Sequence, residues 1–229
     1  MVNKLVYLVE AKRTPQVKAG LELKDVAAPF LGSSLLRSIL DSTDIPNSEV
    51  DEVIFGNTGA PAKYANVSRV IALTAGLDQS ISASTVHRNC ASGMEAIGQG
   101  CLKILSGRSH IVFAGGVENM SQMPLIYSKE MTDLFIKVNK AKSLSEKIKA
   151  LSQFRPPHLS PIIGIEQGLT DPICGLNMGQ TAELLAREHN ITREEQDIYA
   201  NISHQRSYKA QEEGKFKEEI IPLLIGLKR

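Results

Sequence analysis

Short apolar runs alternate with amphipathic stretches over the first 117 residues of the chain. The runs are rich in valine, isoleucine and aromatic residues, which favour strands, and they lie at residues 5–9, 50–57, 81–86 and 110–114. Between them, apolar residues recur three and four positions apart, which is typical of helices. Strands that alternate with helices form mostly parallel sheets. We therefore expect an α/β fold, with a largely parallel sheet flanked by helices.

Cys90 lies between the third of these strands and the helix that follows it. At the start of a helix, free backbone N–H groups and a partial positive charge favour the thiolate over the thiol. Residues 91–93 are Ala, Ser and Gly, which are small enough for a substrate to approach the sulfur closely. These features favour a nucleophile that carries an acyl group. The residues alone leave open the alternative that Cys90 packs as a small apolar side chain.

The chain has three cysteines, an odd number without paired spacing. This fits a reducing compartment better than a disulfide framework, and the three are too scattered for a zinc site. Cys101, in the body of the same helix, is expected to be a core residue, and Cys174 to pack in the core or a loop. We therefore expect no metal site.

The charge balance and hydropathy exclude several classes of protein. A formal net charge of +1 argues against a nucleic-acid-binding surface. The first residues lack the apolar core and cleavage signal of a targeting peptide, and no apolar run is long enough to span a bilayer. We therefore expect a cytoplasmic protein.

The pattern changes after Met120, and we expect a division between an N-terminal α/β domain at residues 1–120 and a mainly helical domain at 121–229. Residues 129–152 predict one or two amphipathic helices with a basic outer face, for which a solvated surface is favoured over a membrane surface. Residues 154–174 contain four prolines and predict a loop. Residues 192–195 match a capping box that begins a further helix, and residues 220–225 predict a strand.

Seven separated segments resemble the thiolase family (acetyl-CoA C-acyltransferases). They occur in the family's order, and each matches a characteristic stretch: R-T-P at 13–15, V-I-F-G-N at 53–57, R-N-C-A-S-G-M at 88–94, A-G-G-V-E-N-M-S at 114–121, N-M-G-Q-T-A-E at 177–183, R-E-E-Q-D at 193–197 and G-K-F-K-E-E-I at 214–220. Because they are spread over essentially the whole chain, the resemblance is more specific than the cysteine turn alone.

The resemblance implies both a fold and a reaction. Thiolases have two similar α/β halves, with a loop domain inserted in the first. Their reactive cysteine, which Cys90 matches, takes an acyl group from 3-ketoacyl-CoA or acetyl-CoA and passes it to CoA or a second acetyl-CoA. Met178 matches a methionine that lines the acyl and pantetheine tunnel, Asn177 stands at a position that is often histidine, and Leu169 resembles another pantetheine contact. Coenzyme A is thus expected as a substrate, with no further cofactor.

The chain also departs from the family pattern. A thiolase is roughly twice as long, and its second half carries a G-H-P histidine, a C-x-G cysteine and an N-E-A-F-like asparagine, none of which occurs here. His87 lies in the strand before Cys90 and is a weak candidate for the missing base. We expect an amino-terminal thiolase fragment, incomplete at its C-terminal end. Its expected partners are acyl-CoA, a second copy or the C-terminal half, and a subunit of a fatty-acid oxidation complex.

Three functions follow from these expectations. The first is an acyl-CoA C-acyltransferase whose turnover requires the second half. The second is a non-catalytic CoA-binding or assembly module that keeps the family's surfaces. The third is a ketoacyl synthase-like protein, which ranks lowest because that related fold lacks the A-G-G-x-E-N-M-S stretch at residues 114–121.

Overall fold

The computed structural model describes residues 5–59 and 61–224. Within these, the chain forms two compact units, which differ from the expected division at residue 120. The first unit comprises residues 5–122 together with 204–224, and the second is Met123–Ser203.

A parallel sheet forms the centre of the first unit. Its strands are β1 (Glu52–Gly56), β2 (Ser82–Val86) and β3 (Val112–Gly116), in the order β2-β1-β3, and both pairings are parallel. Every residue of the central strand β1 is buried. The parallel sheet that the sequence predicts is thus confirmed.

Three helices pack on this sheet: α1 (Ala28–Thr43), α2 (Val67–Thr74) and α3 (Ser92–Leu105). Val53 and Phe55 of β1 share a core cluster with α1 and α2. Gly100 of α3 lies against Val112 and Ala114 of β3. These two residues pair with Glu52 and Ile54 of β1, whose side chains point to the face opposite to Val53 and Phe55. Because side chains alternate between the faces of a strand, α3 covers the face of the sheet opposite to α1 and α2.

The second unit is mainly helical, as expected. Its helices are α4 (Lys129–Lys140), α5 (Leu144–Leu151), the short α6 (Gly164–Leu169) and α7 (Met178–Glu188). Two short strands, β4 (Leu125–Ile126) and β5 (Ile162–Ile163), pair antiparallel. Helix α8 (Arg193–Glu212) begins in this unit and ends in the first. Single turns of 3₁₀ helix lie at Asn47–Glu49, Ala62–Tyr64, Met120–Gln122 and Pro156–Leu159.

Helix caps follow the sequence closely. Thr192 Oγ1 accepts a hydrogen bond from Glu195 N at 3.2 Å, and the Glu195 carboxylate accepts one from Thr192 N at 2.7 Å, which confirms the predicted capping box. Residues 129–152 form two helices rather than one, and Ser143 and Glu146 make a capping box at the start of the second.

The predicted strand at residues 5–9 is wrong. These residues are irregular, and large side chains among them are exposed, Leu8 at 83%. At the C-terminal end, only Ile220 of the predicted strand at 220–225 pairs, in an isolated parallel bridge with Arg13, and residue 225 lies outside the described residues. The backbone pairing there is limited to one residue of the partner, since Arg13 N donates to Glu219 O at 2.7 Å and Ile221 N to Arg13 O at 2.9 Å.

Helix α3 turns a different face to the sheet than its apolar pattern predicts. Met94 and Ile97 are 78% and 51% exposed, and the positions buried against the sheet are the small Ser92, Ala96 and Gly100. Small side chains allow the backbones of helix and strand to approach closely, so the larger apolar residues lie on the outer side of the helix. Cys101 is intermediate rather than fully buried.

Candidate active site

Cys90 is exposed, at the turn that joins the carboxyl end of β2 to the start of α3. Asn89, directly before it, has φ of 47°, a left-handed conformation that asparagine tolerates better than most residues. Ala91 N donates to Arg88 O and Ser92 N to Asn89 O, each at 3.1 Å. The cysteine therefore stands at the tip of a tight, hydrogen-bonded turn with its side chain open to solvent.

The side chain of Ser92 stabilises this turn through two hydrogen bonds. Ser92 is 4% exposed, and its Oγ accepts from Arg88 N at 2.8 Å while donating to Asn89 O at 2.6 Å. One hydroxyl thus joins both residues before Cys90 to the first residue of α3. Because a buried hydroxyl with two partners has little freedom, it fixes the shape of the turn.

Three glycines bring the turn directly onto the ends of two strands. A Cβ at Gly56 would lie 2.3 Å from the carbonyl carbon of Ser92, and one at Gly116 would lie 3.0 Å from Gly93 Cα. The distance at Gly56 leaves no room for a side chain, and the one at Gly116 is tight, so close backbone approach rather than a turn conformation accounts for glycine at these two positions. The start of α3 therefore rests on the carboxyl ends of β1 and β3, where sites gather in parallel sheets.

Glu118 joins the ends of β3 and β1. Its Oε1 accepts from Asn57 Nδ2 at 3.2 Å, and its Oε2 accepts from the N–H groups of Thr58 and Gly59 at 2.8 and 3.0 Å. The Thr58 hydroxyl in turn donates to Asn89 O at 3.0 Å. A continuous set of hydrogen bonds thus runs from Glu118 to the residue before Cys90.

Asn57 and Asn119 anchor the same edge of the sheet. Asn57 is 2% exposed and also donates to Val117 O at 2.9 Å, while its Oδ1 is a buried atom without a partner in the part of the chain that the structure describes. Asn119 Nδ2 donates to the carbonyl oxygens of Leu23 and Val26 at 2.9 and 2.6 Å. The loops after β1 and β3 are therefore held by side-chain amides.

Arg88 forms an ion pair over the first turns of α3. Its Nη1 lies 2.5 Å from Glu95 Oε2, and this hydrogen bond, together with one from Gln99, holds the pKa of the Glu95 carboxyl below its usual range. His87 is exposed, and no hydrogen bond joins it to Cys90 among the described residues. The geometry gives no support to His87 as the base.

The other three predicted site residues lie in the second unit, whereas Cys90 lies in the first. Leu169, the last residue of α6, is 43% exposed, and Met178, the first residue of α7, is 52% exposed. An antiparallel bridge between Thr170 and Asn177 places the two positions side by side. The structure therefore brings Leu169, Asn177 and Met178 together at one short hairpin.

This hairpin is shaped by two side chains. Asn177 is the N-cap of α7, where its Oδ1 accepts from Gln180 N and its own N–H donates to Gln180 Oε1, both at 2.9 Å. Asp171 Oδ1 accepts from Ile173 N at 2.6 Å and from Cys174 N at 3.1 Å, and these bonds lower the pKa of the Asp171 carboxyl. The side-chain oxygen of Asn177 is thus engaged in the cap, and Cys174 is exposed in the loop.

Sequence reasoning identified Cys90 but missed Thr58 and Glu118 as parts of its surroundings. Both follow the ends of predicted strands, which was an available signal. Among the described residues, no group of three or more histidine, cysteine, aspartate or glutamate side chains is placed to hold a metal ion. No helix in those same ranges combines the length and apolar character needed to cross a membrane.

Comparison with known proteins shows which family the chain resembles. The thiolase N-terminal domain model matches residues 6–229. A "Probable acetyl-CoA acyltransferase" of Staphylococcus aureus (strain COL) is 37% identical over 221 residues, which cover 96% of this chain and 51% of that protein. A "3-ketoacyl-CoA thiolase" of Escherichia coli O1:K1 / APEC is 31% identical over 220 residues, covering 96% and 50%.

A solved structure gives the same result. The crystal structure of the Bacillus anthracis acetyl-CoA acetyltransferase superposes with a TM-score of 0.82 at 33% identity, covering 96% of this chain and 50% of that one. The chain thus spans about half the length of the relatives it matches. Its fold is the layered α/β fold of the first thiolase half, and the chain belongs to the thiolase family, of which it matches the N-terminal domain.

Proposed function

We propose that the chain supplies the nucleophile of an acyl-CoA C-acyltransferase of the thiolase type, and that Cys90 takes the acyl group. The observation that carries this proposal is the exposed thiol at the tip of a turn fixed by Ser92. A nucleophile of this kind needs access for the substrate and a rigid backbone that holds the sulfur on its line of attack. Relatives named for acyl transfer support the assignment.

In the degradative direction, Sγ of Cys90 attacks the 3-keto carbon of 3-ketoacyl-CoA. The bond between the α- and β-carbons then breaks, and its electron pair stays on the α-carbon, which takes a proton and leaves as acetyl-CoA. The acyl group remains on the sulfur as a thioester until the thiol of CoA removes it. In the biosynthetic direction, acetyl-CoA acylates Cys90 and releases CoA, and the α-carbon of a second acetyl-CoA loses a proton and takes the acetyl group from the sulfur to give acetoacetyl-CoA. The N–H of Cys90 is the proposed donor to the oxyanion.

The second unit is proposed to bind the pantetheine arm of CoA. In support, Leu169 and Met178 present half-exposed apolar side chains at one hairpin, next to the capped start of α7. Coenzyme A then acts as a substrate, and no other cofactor is required. The acid and base that complete turnover are proposed to come from a second thiolase half, since the family's G-H-P and C-x-G motifs are absent from this sequence.

Partners and location are also proposals. Helix α5 leaves Ile148 and Leu151 59% and 54% exposed, beside a lysine-rich segment, which fits contact with another protein subunit, such as one of a fatty-acid oxidation complex. A second copy of the chain is a further proposed partner, and the cytoplasm the proposed location.

The test is the capture of an acyl-enzyme. Purified chain is incubated with acetoacetyl-CoA, and peptide mass spectrometry locates any acetyl group. We expect acetyl on Cys90, its loss in Cys90→Ser and its retention in Cys174→Ser, which removes the other exposed thiol. Acetyl on Cys174 alone would contradict the assignment. Steady-state thiolysis by these 229 residues alone would contradict the need for a second half.

One observation favours a second candidate, a CoA-binding module without catalysis. Leu169 and Met178 present exposed apolar side chains at one hairpin, whereas the family's G-H-P and C-x-G motifs are absent from this sequence. Undiminished CoA binding by Cys90→Ser, with no acyl-enzyme in the unchanged chain, would favour this candidate.

A further inference from the structure

Two polar residues that are distant in sequence support the nucleophile turn: Thr58 hydrogen-bonds to it directly, and Glu118 holds the loop that carries Thr58. Thr58 follows β1, and Glu118 follows β3, while Asn89 follows β2. Their hydrogen bonds therefore tie together the carboxyl ends of all three strands of the sheet. Nothing in the acyl-transfer chemistry requires these contacts directly, so their role needs a separate explanation.

The carbonyl oxygen of Asn89 is where these bonds converge. It accepts from Ser92 N at 3.1 Å, from Ser92 Oγ at 2.6 Å and from Thr58 Oγ1 at 3.0 Å. The first two donors are local to the turn, whereas Thr58 comes from the loop that follows the neighbouring strand β1. The backbone of Asn89 has a left-handed conformation, with φ of 47°. Such a conformation is costly for a residue other than glycine, and the three hydrogen bonds to the carbonyl oxygen stabilise it.

Glu118 fixes the loop that carries Thr58. The N–H groups of Thr58 and Gly59 converge on Oε2, and Asn57 donates to Oε1. Both carboxylate oxygens thus already accept N–H donors, so the group is occupied in holding the loop and is poorly placed to exchange protons with a substrate. Hydrogen bonds to a charged acceptor are the stronger kind, which suits this task.

We propose that Glu118 and Thr58 are positioning residues for Cys90: Glu118 holds residues 57–59, and Thr58 fixes the carbonyl of Asn89, which sets the direction of the Cys90 backbone. This inference rests on the proposed function of Cys90 but concerns residues that the acyl transfer itself does not use. Among the described residues, no hydrogen bond joins either side chain to the sulfur: Thr58 acts through Asn89, and Glu118 acts through the loop that carries Thr58.

The test uses the chain labelled with ¹⁵N-cysteine, which gives three amide signals, from Cys90, Cys101 and Cys174. The Cys90 signal is identified by its loss in Cys90→Ser. We expect it to shift in Thr58→Val and in Glu118→Gln, while the signals of Cys101 and Cys174 stay in place as internal controls. Thr58→Ser keeps the hydroxyl and should restore the original position.

Matched controls are Thr74→Val and Glu49→Gln, at exposed positions of the same unit whose side chains make no hydrogen bond among the described residues. Both should leave the Cys90 signal unmoved. An unmoved Cys90 signal in Thr58→Val would overturn the proposal. A shift of all three signals in that variant would overturn it as well, because the effect would then lie on the fold as a whole.

Acyl-enzyme capture separates this inference from the proposed function. With acetoacetyl-CoA, Thr58→Val should slow acylation of Cys90 about fivefold, the effect of losing one ordinary hydrogen bond. Absence of acyl-Cys90 in the unchanged chain would refute the proposed function, and the amide signals would still decide on positioning. Acylation at an unchanged rate in both Thr58→Val and Glu118→Gln would refute the positioning role alone.

Discussion

Gly56 and Gly93 are in such close contact that a Cβ on Gly56 would lie 2.5 Å from the amide nitrogen of Gly93. Gly56 ends the central strand β1, and Gly93 is the second residue of α3. The start of the helix that follows Cys90 is therefore seated on the end of the most buried strand of the sheet. The small residues after the nucleophile allow this contact, in which the backbone of Gly56 packs directly on the backbone of Ser92 and Gly93.

Replacement of Gly56 by alanine should damage this support. The new methyl group would meet backbone atoms of Ser92 and Gly93, which cannot rotate away as a side chain can. We expect the free energy of unfolding to fall by about 3 kcal/mol, the upper part of the range for overpacked sites. Urea denaturation followed by circular dichroism measures the change.

Gly98→Ala in the same helix is the matched control for this substitution. A Cβ there would meet no atom within 4 Å, and the position lies in the interior of α3. Since alanine favours helix more than glycine by about 1 kcal/mol, stability should rise slightly. Equal losses in Gly56→Ala and Gly98→Ala would contradict the close contact.

Ser92→Ala should loosen the nucleophile turn. It removes the hydroxyl that accepts from Arg88 N and donates to Asn89 O, and it leaves both of these backbone groups without that partner. We expect a loss of about 1 kcal/mol in unfolding free energy, as for an ordinary hydrogen bond, because Asn89 O keeps its bonds from Ser92 N and Thr58 Oγ1. Hydrogen exchange of the Arg88 amide should become faster.

Ser106→Ala provides the comparison for Ser92→Ala. Ser106 is the exposed C-cap of the same helix, and its hydroxyl donates to Lys103 O at 2.9 Å. Removing it should change stability by only a few tenths of a kcal/mol, as for other exposed positions. Unchanged exchange at Arg88 in Ser92→Ala would show that the turn does not depend on the hydroxyl.

The sheet was predictable because its strands carry local signals. Residues 53–55 are Val, Ile and Phe, which favour strands, and they form the middle of the central strand as expected. The segment at residues 5–9 has the same local character, yet it is irregular. Composition can indicate that a segment is able to form a strand, but pairing depends on which partner lies beside it in the fold.

The candidate site was predictable only in part, for a similar reason. The spacing around Cys90 indicated a turn before a helix, and the structure places it there. The bonds from Glu118 to Thr58 and from Thr58 to Asn89 join residues 60 and 31 positions apart. Such long-range contacts leave no periodic pattern in the sequence. The buried face of α3 was missed because its contacts are made by small residues rather than by Met94 and Ile97.

A buried ion pair between Glu52 of β1 and Lys103 of α3 links the C-terminal part of the helix to the sheet. The Glu52 side chain is 6% exposed and that of Lys103 is 23% exposed. Lys103→Met removes the positive partner and leaves a carboxylate buried beside an apolar group. We expect a loss of about 3 kcal/mol in unfolding free energy, as for other broken buried pairs.

The double variant Glu52→Gln with Lys103→Met tests whether the buried charge is the cause. Without the carboxylate, the desolvation cost disappears, so the double variant should be more stable than Lys103→Met alone. Thermal unfolding of the two variants gives the comparison. A double variant less stable than Lys103→Met would contradict a charge effect and point to packing instead.

Asp51 should make the stability of the first unit depend on pH. Its carboxylate accepts hydrogen bonds from the N–H groups of His110 at 2.6 Å and Ile111 at 3.0 Å, just before β3, and these bonds lower the pKa of Asp51 from 3.8. A folded-state pKa below the unfolded one means that the unfolded chain binds the proton more readily. The stabilising contribution is therefore complete above the unfolded pKa and is lost as the pH falls through the folded pKa.

Asp51→Asn should consequently be less stable than the unchanged chain near neutral pH, and the difference should disappear in acid as the pH falls below the folded pKa. Urea denaturation at a series of pH values measures this difference. Asp25→Asn is the control, since Asp25 is exposed and its carboxylate has no hydrogen bond among the described residues. A difference between Asp51→Asn and the unchanged chain that persists unaltered into strong acid would show that the carboxylate charge does not secure the start of β3.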